Sequence, residues 1–218
     1  MAGIIAGVVT MTGLGQVLIG AIVGLSNGHL IIALVLTMLC CIVLGMGVPT
    51  TANYIIMATT CAPILASGMG LELMAAHMFC FYFGIVADIT PPVALAAYAG
   101  SAIAKAPPMK TAWNATRLAI AAFIIPYIFV LSPQLMLINT TLAEGLFTAA
   151  TAALGVFLLA VACEGYVYAP VNVVMRLVSL AGALLLMIPG AQTDIVGAVI
   201  LIGVIFFQKR KAAALQAA

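Results

Sequence analysis

Helix-breaking and polar residues interrupt an apolar stretch at residues 44–54, LGMGVPTTANY. Gly45 and Gly47 permit backbone conformations closed to other residues and allow close approach of the backbone to a ligand. Pro49 suits the start of a following helix, and the amino end of a helix carries partial positive charge. Hydroxyl and amide side chains follow at once: Thr50, Thr51 and Asn53. This pattern predicts a place where a carboxylate can rest against a helix end.

A second break, ADITPP at residues 87–92, interrupts another apolar segment. Proline lacks an amide hydrogen and clashes with the carbonyl four residues earlier, so the two prolines would release the carbonyls of Ala87 and Asp88. At bilayer depth, such carbonyls survive only when buried in protein or lining a wet cavity. Secondary transporters bind cations and anionic substrates at unwound helices of this kind. A kink repaired by neighbouring helices is the alternative for either break.

Asp88 lies near the centre of its apolar segment. An ionisable residue at bilayer depth is costly, and it marks a functional site by default. Proton coupling, ion attraction and gating are open roles for this carboxylate. A water-filled crevice or an ordinary hydrogen bond to a neighbouring helix is the structural alternative.

The composition requires an integral membrane protein. Of 218 residues, 66% are hydrophobic and 6% are charged, whereas roughly 25% are charged in soluble domains. Residues 1–71 contain no Asp, Glu, Lys or Arg. A net charge of +2 is too small to indicate a nucleic-acid partner, so lipid is the expected surrounding.

The remaining residue types give no sign of catalysis or of a metal centre. The spans contain no HExxH, GxSxG or paired acidic motif, so the sequence does not predict an enzyme. The cysteines lack the paired spacings of metal or redox sites, and they are interpreted as small packing residues. They are Cys40, Cys41, Cys61, Cys80 and Cys163.

The apolar segments predict an all-α, polytopic transmembrane fold, because only helices or closed barrels satisfy their backbone in lipid. Two segments beside the first break are shorter than the ~20 residues of a full crossing. They form either a re-entrant hairpin or two thin spans. The predicted segments are residues 3–25, the arms 30–44 and 53–65, the interrupted segment 71–99, and 112–131, 146–163, 171–188 and 195–207.

Basic residues predict the orientation of these segments. Lys105, Lys110 and Arg117 surround one loop, and residues 209–211 (KRK) follow the last span. The positive-inside rule places both groups in the cytoplasm. Four spans separate the two groups, and an even number agrees with that placement. Counting backwards puts the amino terminus in the cytoplasm too, so both termini are expected there.

Four motifs, in this order, resemble the large permease subunit of TRAP transporters. They are GIIAGVVTMTGLG, LGMGVPTTANYIIMATTCAPIL, AAHMFCFYFGIVADITPPVALAAYAGSAIA and FIIPYIFVLSPQLML. The resemblance covers the carboxyl-terminal half of that subunit and is greatest to the type in which small and large membrane subunits are fused. Residues 1–137 would form the second repeat, comprising span, hairpin, broken helix and span. Residues 138–218 would add transmembrane helices and a short basic cytoplasmic tail.

The resemblance implies a sodium-driven importer of organic acids, such as C4-dicarboxylates, in the inner membrane. A soluble extracytoplasmic protein would deliver the substrate, and the fold would be half of an elevator-type transporter with inverted repeats. Sodium would be the coupling ion, without an organic cofactor. The sodium ligands would be backbone oxygens at Gly45, Gly47 and Ala87 with the Thr90 hydroxyl. The residues that contact the substrate would be Pro49, Thr50, Thr51, Asn53 and Asp88.

The matching first repeat and the small-subunit region are absent from these 218 residues. The chain is therefore expected to be incomplete alone, as a natural split subunit or a truncated fragment, with the missing half encoded just upstream. A non-transporting assembly subunit or a degenerate remnant is the alternative.

Overall fold

The computed structural model describes residues 4, 7–8, 11–188 and 190–216. These residues form α-helices joined by turns, with an antiparallel bridge between Tyr166 and Pro170. The all-α prediction is confirmed. The helices are α1 Leu14–Ser26, α2 Leu30–Gly45, α3 Thr50–Thr60, α4 Leu73–Val86, α5 Leu95–Ala104, α6 Pro108–Leu118, α7 Ile120–Leu131, α8 Leu142–Glu164, α9 Val173–Met187 and α10 Ala191–Gln216.

The first break separates α2 from α3. Gly47 adopts a left-handed conformation, with φ of 74°, which glycine accepts without a steric penalty. Pro49 then precedes the first residue of α3 with φ of −56°. A π-helical turn at Ile64–Gly68 follows α3, and α4 packs against both arms. The two short arms predicted from the sequence therefore form, and α4 is their common support.

The second break separates α4 from α5. A single 3₁₀ turn, Ala87–Ile89, ends α4. Thr90 is extended, with φ of −103° and ψ of 128°, and the peptide bond between Pro91 and Pro92 is cis. Helix α5 starts only at Leu95. The broken helix predicted at ADITPP is confirmed.

Aromatic side chains pack α4 against α7. The ring centroids of Phe79 and Phe83 lie 5.3 and 5.8 Å from that of Tyr127, both edge to face. Phe79 and Phe83 are fully buried. Edge-to-face pairs favour a defined ring geometry, so these contacts fix the helix that leads into the second break.

The chain divides into two compact units, Met1–Val130 and Leu131–Ala218. The domain boundary predicted between residues 137 and 138 stays a prediction. Within the second unit, α9 packs against both α8 and α10. Helix α8 begins with a capping box formed by Thr141 and Glu144.

Two basic side chains close one end of this second unit. Arg176 donates hydrogen bonds to the carbonyls of Ala162 (2.6 Å) and Cys163 (2.7 Å), at the carboxyl end of α8. A positive charge is stabilised at the carboxyl end of a helix by the helix dipole. The Lys211 ammonium donates to the Pro170 carbonyl at 2.7 Å. The loop between α8 and α9 and the basic end of α10 thus lie together at one end of this unit.

Among the described residues, three helical segments are long and apolar enough to cross a membrane: Pro108–Leu131, Leu142–Glu164 and Ala191–Ala214. Shorter apolar helices include α1, α2, α5 and α9. This set agrees with a multi-pass membrane protein. The cytoplasmic placement of the termini stays a prediction, as does the choice between a re-entrant hairpin and two thin spans.

One predicted span limit was wrong. The first span was placed at residues 3–25: α1 covers Leu14–Ser26 after the left-handed Gly13, with φ of 66°, and residues 4, 7–8 and 11–12 before it are also helical. That span stays a prediction, and residue 3 lies outside the described part. The last span was placed at residues 195–207, but α10 continues to Gln216. Its end is rich in Lys, Arg, Ala, Leu and Gln, which are good helix formers even when the sequence is no longer apolar.

Candidate substrate and cation site

The two breaks lie at one cavity. The loop between α2 and α3 contributes Gly47, Val48 and Pro49, and the broken helix contributes Asp88. The first turn of α5 completes the wall with Leu95 and Ala96. The cavity has a volume of about 200 Å³ and is partly open. Unwound backbone from two separate segments therefore faces a common space large enough for a small ligand.

Below the cavity, α2, α3 and α4 meet around one side chain. Asn53 of α3 is 1% exposed, and its Nδ2 donates a hydrogen bond of 2.8 Å to the Gly84 carbonyl of α4. A methyl group added at Gly45 would lie 2.9 Å from that nitrogen and 3.2 Å from the Cβ of Ala87. A methyl group at Gly84 would also lie 2.9 Å from it. The close approach of the three helices therefore depends on both glycines.

The oxygen of the Asn53 amide can accept hydrogen bonds that the surrounding residues do not provide. Asn53 Oδ1 is buried and has no hydrogen-bond partner among the described residues. The Gly84 carbonyl fixes the amide orientation, because exchanging nitrogen and oxygen would set two acceptors against each other. A buried acceptor without a partner costs about 1–3 kcal/mol. This oxygen is therefore a candidate cation ligand or water-binding group.

Oxygen atoms of the second break take part in hydrogen bonds but keep lone pairs that could bind a cation. The Ala87 carbonyl accepts from the Thr90 N–H at 3.3 Å, which is longer than the usual bond of about 2.9–3.0 Å. The Thr90 hydroxyl donates to the Val86 carbonyl at 2.7 Å. Because its single hydrogen is used there, the lone pairs of this hydroxyl oxygen remain free to bind a cation.

Two further hydroxyl groups hold the segments around the break. The Thr116 hydroxyl of α6 shares its one hydrogen between the carbonyls of Ile89 and Ala112, both at 3.0 Å. The Tyr98 hydroxyl of α5 donates to the Pro92 carbonyl at 2.7 Å. Two carbonyls within the break, those of Ile89 and Pro92, thus accept hydrogen bonds from side chains of neighbouring helices, which non-helical backbone at membrane depth requires.

The predicted site residues do not all lie at one point. Gly47, Pro49 and Asp88 line the cavity, whereas Gly45, Asn53 and Ala87 lie at the helix crossing beneath it. Thr50 and Thr51 are exposed in the first turn of α3, and Thr90 is half-buried beyond Asp88. The roles assigned to these residues stay predictions.

Sequence reasoning missed several residues that shape this region: Gly84, Leu95, Ala96, Tyr98 and Thr116. Gly84 lies just before the ADITPP break, in FGIVADITPP. A glycine at that place in an apolar helix is a signal for close packing, and it could have been recognised. Thr116 carries no such signal, because its contact with Ile89 joins residues 27 positions apart.

The available ligand atoms indicate which chemistry fits. No group of three or more His, Cys, Asp or Glu side chains suited to a metal ion occurs in the part of the chain that the structure describes. The site instead offers carbonyl, amide and hydroxyl oxygens with one carboxylate, and such oxygens suit hard cations. The amino end of α3 adds partial positive charge for an anion.

A polytopic all-α membrane protein with two helix breaks at a common cavity has the architecture of a secondary-transporter permease. Residues 1–143 match the family model of the DctM component of the tripartite ATP-independent periplasmic transporters, and the chain belongs to this family. No curated protein and no solved structure matches the chain.

Proposed function

We propose that this chain is a permease component of a sodium-coupled secondary importer of organic acids, with C4-dicarboxylates or similar carboxylates as substrates. A single observation carries the proposal: the loop before α3 and the break after α4 line the same cavity, with Gly47, Pro49 and Asp88 in its wall. Membership of the DctM family supports transport as the general activity.

The cation would bind to oxygens that already lack strong partners. The Gly45 and Ala87 carbonyls accept long hydrogen bonds, of 3.4 and 3.3 Å, from the N–H groups of Val48 and Thr90. Asn53 Oδ1 has no partner in the described part of the chain. The Gly47 carbonyl and the Thr90 hydroxyl complete the set of proposed ligands. Sodium is a hard cation, and such oxygens can replace its water.

The anion would bind where α3 begins. The Asn53 N–H donates to the Pro49 carbonyl at 2.8 Å, so the first internal bond of α3 starts there. The N–H groups in the first turn of α3 have no acceptor within the helix, because the carbonyls four residues earlier lie before the helix begins. Together with the Thr50 and Thr51 hydroxyls, they offer donors to a carboxylate.

Asp88 gives a physical reason for coupling the two ligands. This half-buried carboxylate shares the cavity wall with Pro49, and by itself it repels an organic anion. A sodium ion bound nearby would offset its charge and make entry of the anion less costly. In this scheme Asp88 attracts the cation and excludes the substrate until the cation is present.

The transporter would require further components. We propose an extracytoplasmic substrate-binding protein, the other permease half with its own hairpin, and the small-subunit region as partners in the inner membrane. Both termini of this chain would face the cytoplasm.

Uptake of radiolabelled succinate by cells expressing the native gene cluster tests the proposal. We expect uptake that requires sodium, the binding protein and this chain, and that falls to background when choline replaces sodium at equal ionic strength. Uptake that is unchanged after deletion of this chain would contradict a transport role and favour an assembly subunit or a remnant. Uptake that needs the chain but not sodium would contradict only the assignment of sodium as the coupling ion.

A further inference from the structure

Four of the cysteines, which are far apart in sequence, meet beside the first break. Cys40 and Cys41 lie on α2, Cys61 directly follows α3, and Cys80 lies on α4. The Cys61 thiol donates to the Cys40 sulfur at a distance of 3.7 Å. Cys41 lies near the thiols of both Cys61 and Cys80. Burial of three of these residues agrees with the packing role expected from the sequence, but their meeting at one place adds a possible thiol chemistry.

The four thiols differ in their access from outside the protein. Cys41, Cys61 and Cys80 are fully buried, whereas Cys40 is half-buried. Cys40 also lines an apolar groove of about 390 Å³ between α1 and α2, with Leu14, Leu18, Leu39, Val43 and Leu44. A reagent dissolved in hydrocarbon therefore reaches Cys40 first.

We propose that Cys40 and Cys61 are a redox-active dithiol, oxidised to a disulfide by a lipid-soluble quinone. The two S–H bonds break and one S–S bond forms, while the two electrons and two protons pass to the quinone and give a hydroquinone. The sulfurs must approach from 3.7 Å to a bond length of about 2.05 Å. Thiols held in contact need little backbone movement for this change.

Geometry selects this pair over the other thiols. Cys41 and Cys80 also lie near each other, but neither lines the groove. An oxidant that reacts first with Cys40 leaves its sulfur beside Cys61, which is the hydrogen-bonded neighbour. The resulting disulfide joins the two arms on either side of the loop that carries Gly47 and Pro49, and so links the arms beneath the cavity.

Oxidation of this thiol pair does not depend on transport and can be measured on the full chain in membrane vesicles. We expect decylubiquinone to remove the mass of two hydrogen atoms from the intact chain. After alkylation of the remaining thiols and digestion, mass spectrometry should show a peptide linked through Cys40 and Cys61. A reducing agent should reverse both changes. Failure to oxidise the chain, or linkage mainly between Cys41 and Cys80 or between two chains, would overturn the inference.

Single serine variants separate this pair from general thiol oxidation. Cys40→Ser and Cys61→Ser should each abolish the linked peptide, whereas Cys163→Ser should leave it unchanged. Oxidation of the wild-type chain after unfolding in denaturant should give mixed linkages, because the selectivity comes from the fold. Equal yields of the Cys40–Cys61 link in the folded and unfolded chain would contradict the role of the structure, even if Cys40→Ser misfolds.

Discussion

The Asn53 amide in α3 lies between two glycines. It donates a hydrogen bond of 2.8 Å to the Gly84 carbonyl and packs closely against Gly45 of α2. One polar side chain thus connects both arms of the first break to the helix that leads into the second break. Buried hydrogen bonds of this kind specify a geometry as well as stabilising it. The relative position of the two breaks therefore depends on contacts beneath the cavity.

Asn53→Ala should destabilise the first unit. The change removes the donor to Gly84 and opens a small space at the helix crossing, and we expect a loss of about 1–3 kcal/mol in the free energy of unfolding. Thermal unfolding of the purified chain in detergent measures this. Thr59→Ala, in the same helix but at an exposed position, is the control and should unfold close to wild type. Equal unfolding of the two variants would show that the Asn53 contact is unimportant.

Gly84→Ala should disturb the same crossing from the other side. The new methyl group would lie 2.9 Å from Asn53 Nδ2, so the amide must move and its bond to the Gly84 carbonyl weakens. We expect a lower unfolding temperature and reduced uptake. Gly100→Ala in α5 is the matched control, because nothing lies within 4 Å of its added Cβ. That variant should be neutral or slightly stabilising, since alanine favours the helix by up to about 1 kcal/mol.

The breaks could be predicted from the sequence because glycine and proline act locally. Pro49, Pro91 and Gly47 limit the backbone in the same way whatever packs around them. Their meeting at one cavity was a hypothesis from family resemblance and from the cost of free carbonyls in lipid. Local rules also predicted the two short arms, although the exact ends shifted by several residues.

The contacts beneath the cavity could not be predicted, because they depend on the rotation of one helix against another. Asn53 and Gly84 are 31 residues apart, and Cys40 and Cys61 are 21 apart. In a uniformly apolar helix, no polar face indicates which side packs inward. The missed end of α10 has a different cause, since helix propensity extends that helix beyond its apolar part.

Gly47 should tolerate asparagine better than valine. Its φ of 74° is left-handed and no atom lies within 4 Å of an added Cβ, so conformation limits the substitution and space does not. Asparagine adopts the left-handed conformation readily, whereas a β-branched residue is strained in it. Uptake by Gly47→Asn should exceed that by Gly47→Val at equal membrane levels. Equal loss in both variants would indicate that Gly47 is needed for close approach to a ligand instead.

Pro49→Leu should abolish transport without blocking insertion into the membrane. Leucine restores an amide hydrogen and frees φ, so the start of α3 is no longer fixed beside the cavity. Uptake and the amount of chain in the membrane fraction should be measured together. Pro107→Leu is the control, because Pro107 precedes α6 with a similar φ of −62° and does not line the cavity. Normal uptake by Pro49→Leu would remove Pro49 from the site.

Thr90→Ala should weaken the dependence on sodium. The hydroxyl donates its hydrogen to the Val86 carbonyl at 2.7 Å, so its oxygen can contribute lone pairs to a cation, and alanine cannot replace them. Loss of one such ligand should raise the sodium concentration for half-maximal uptake by about tenfold, which corresponds to ~1.4 kcal/mol. Thr90→Ser keeps the hydroxyl and should titrate close to wild type. An unchanged sodium curve for Thr90→Ala would exclude this hydroxyl as a ligand, and an equal shift in Thr90→Ser would assign the effect to packing of the lost methyl group.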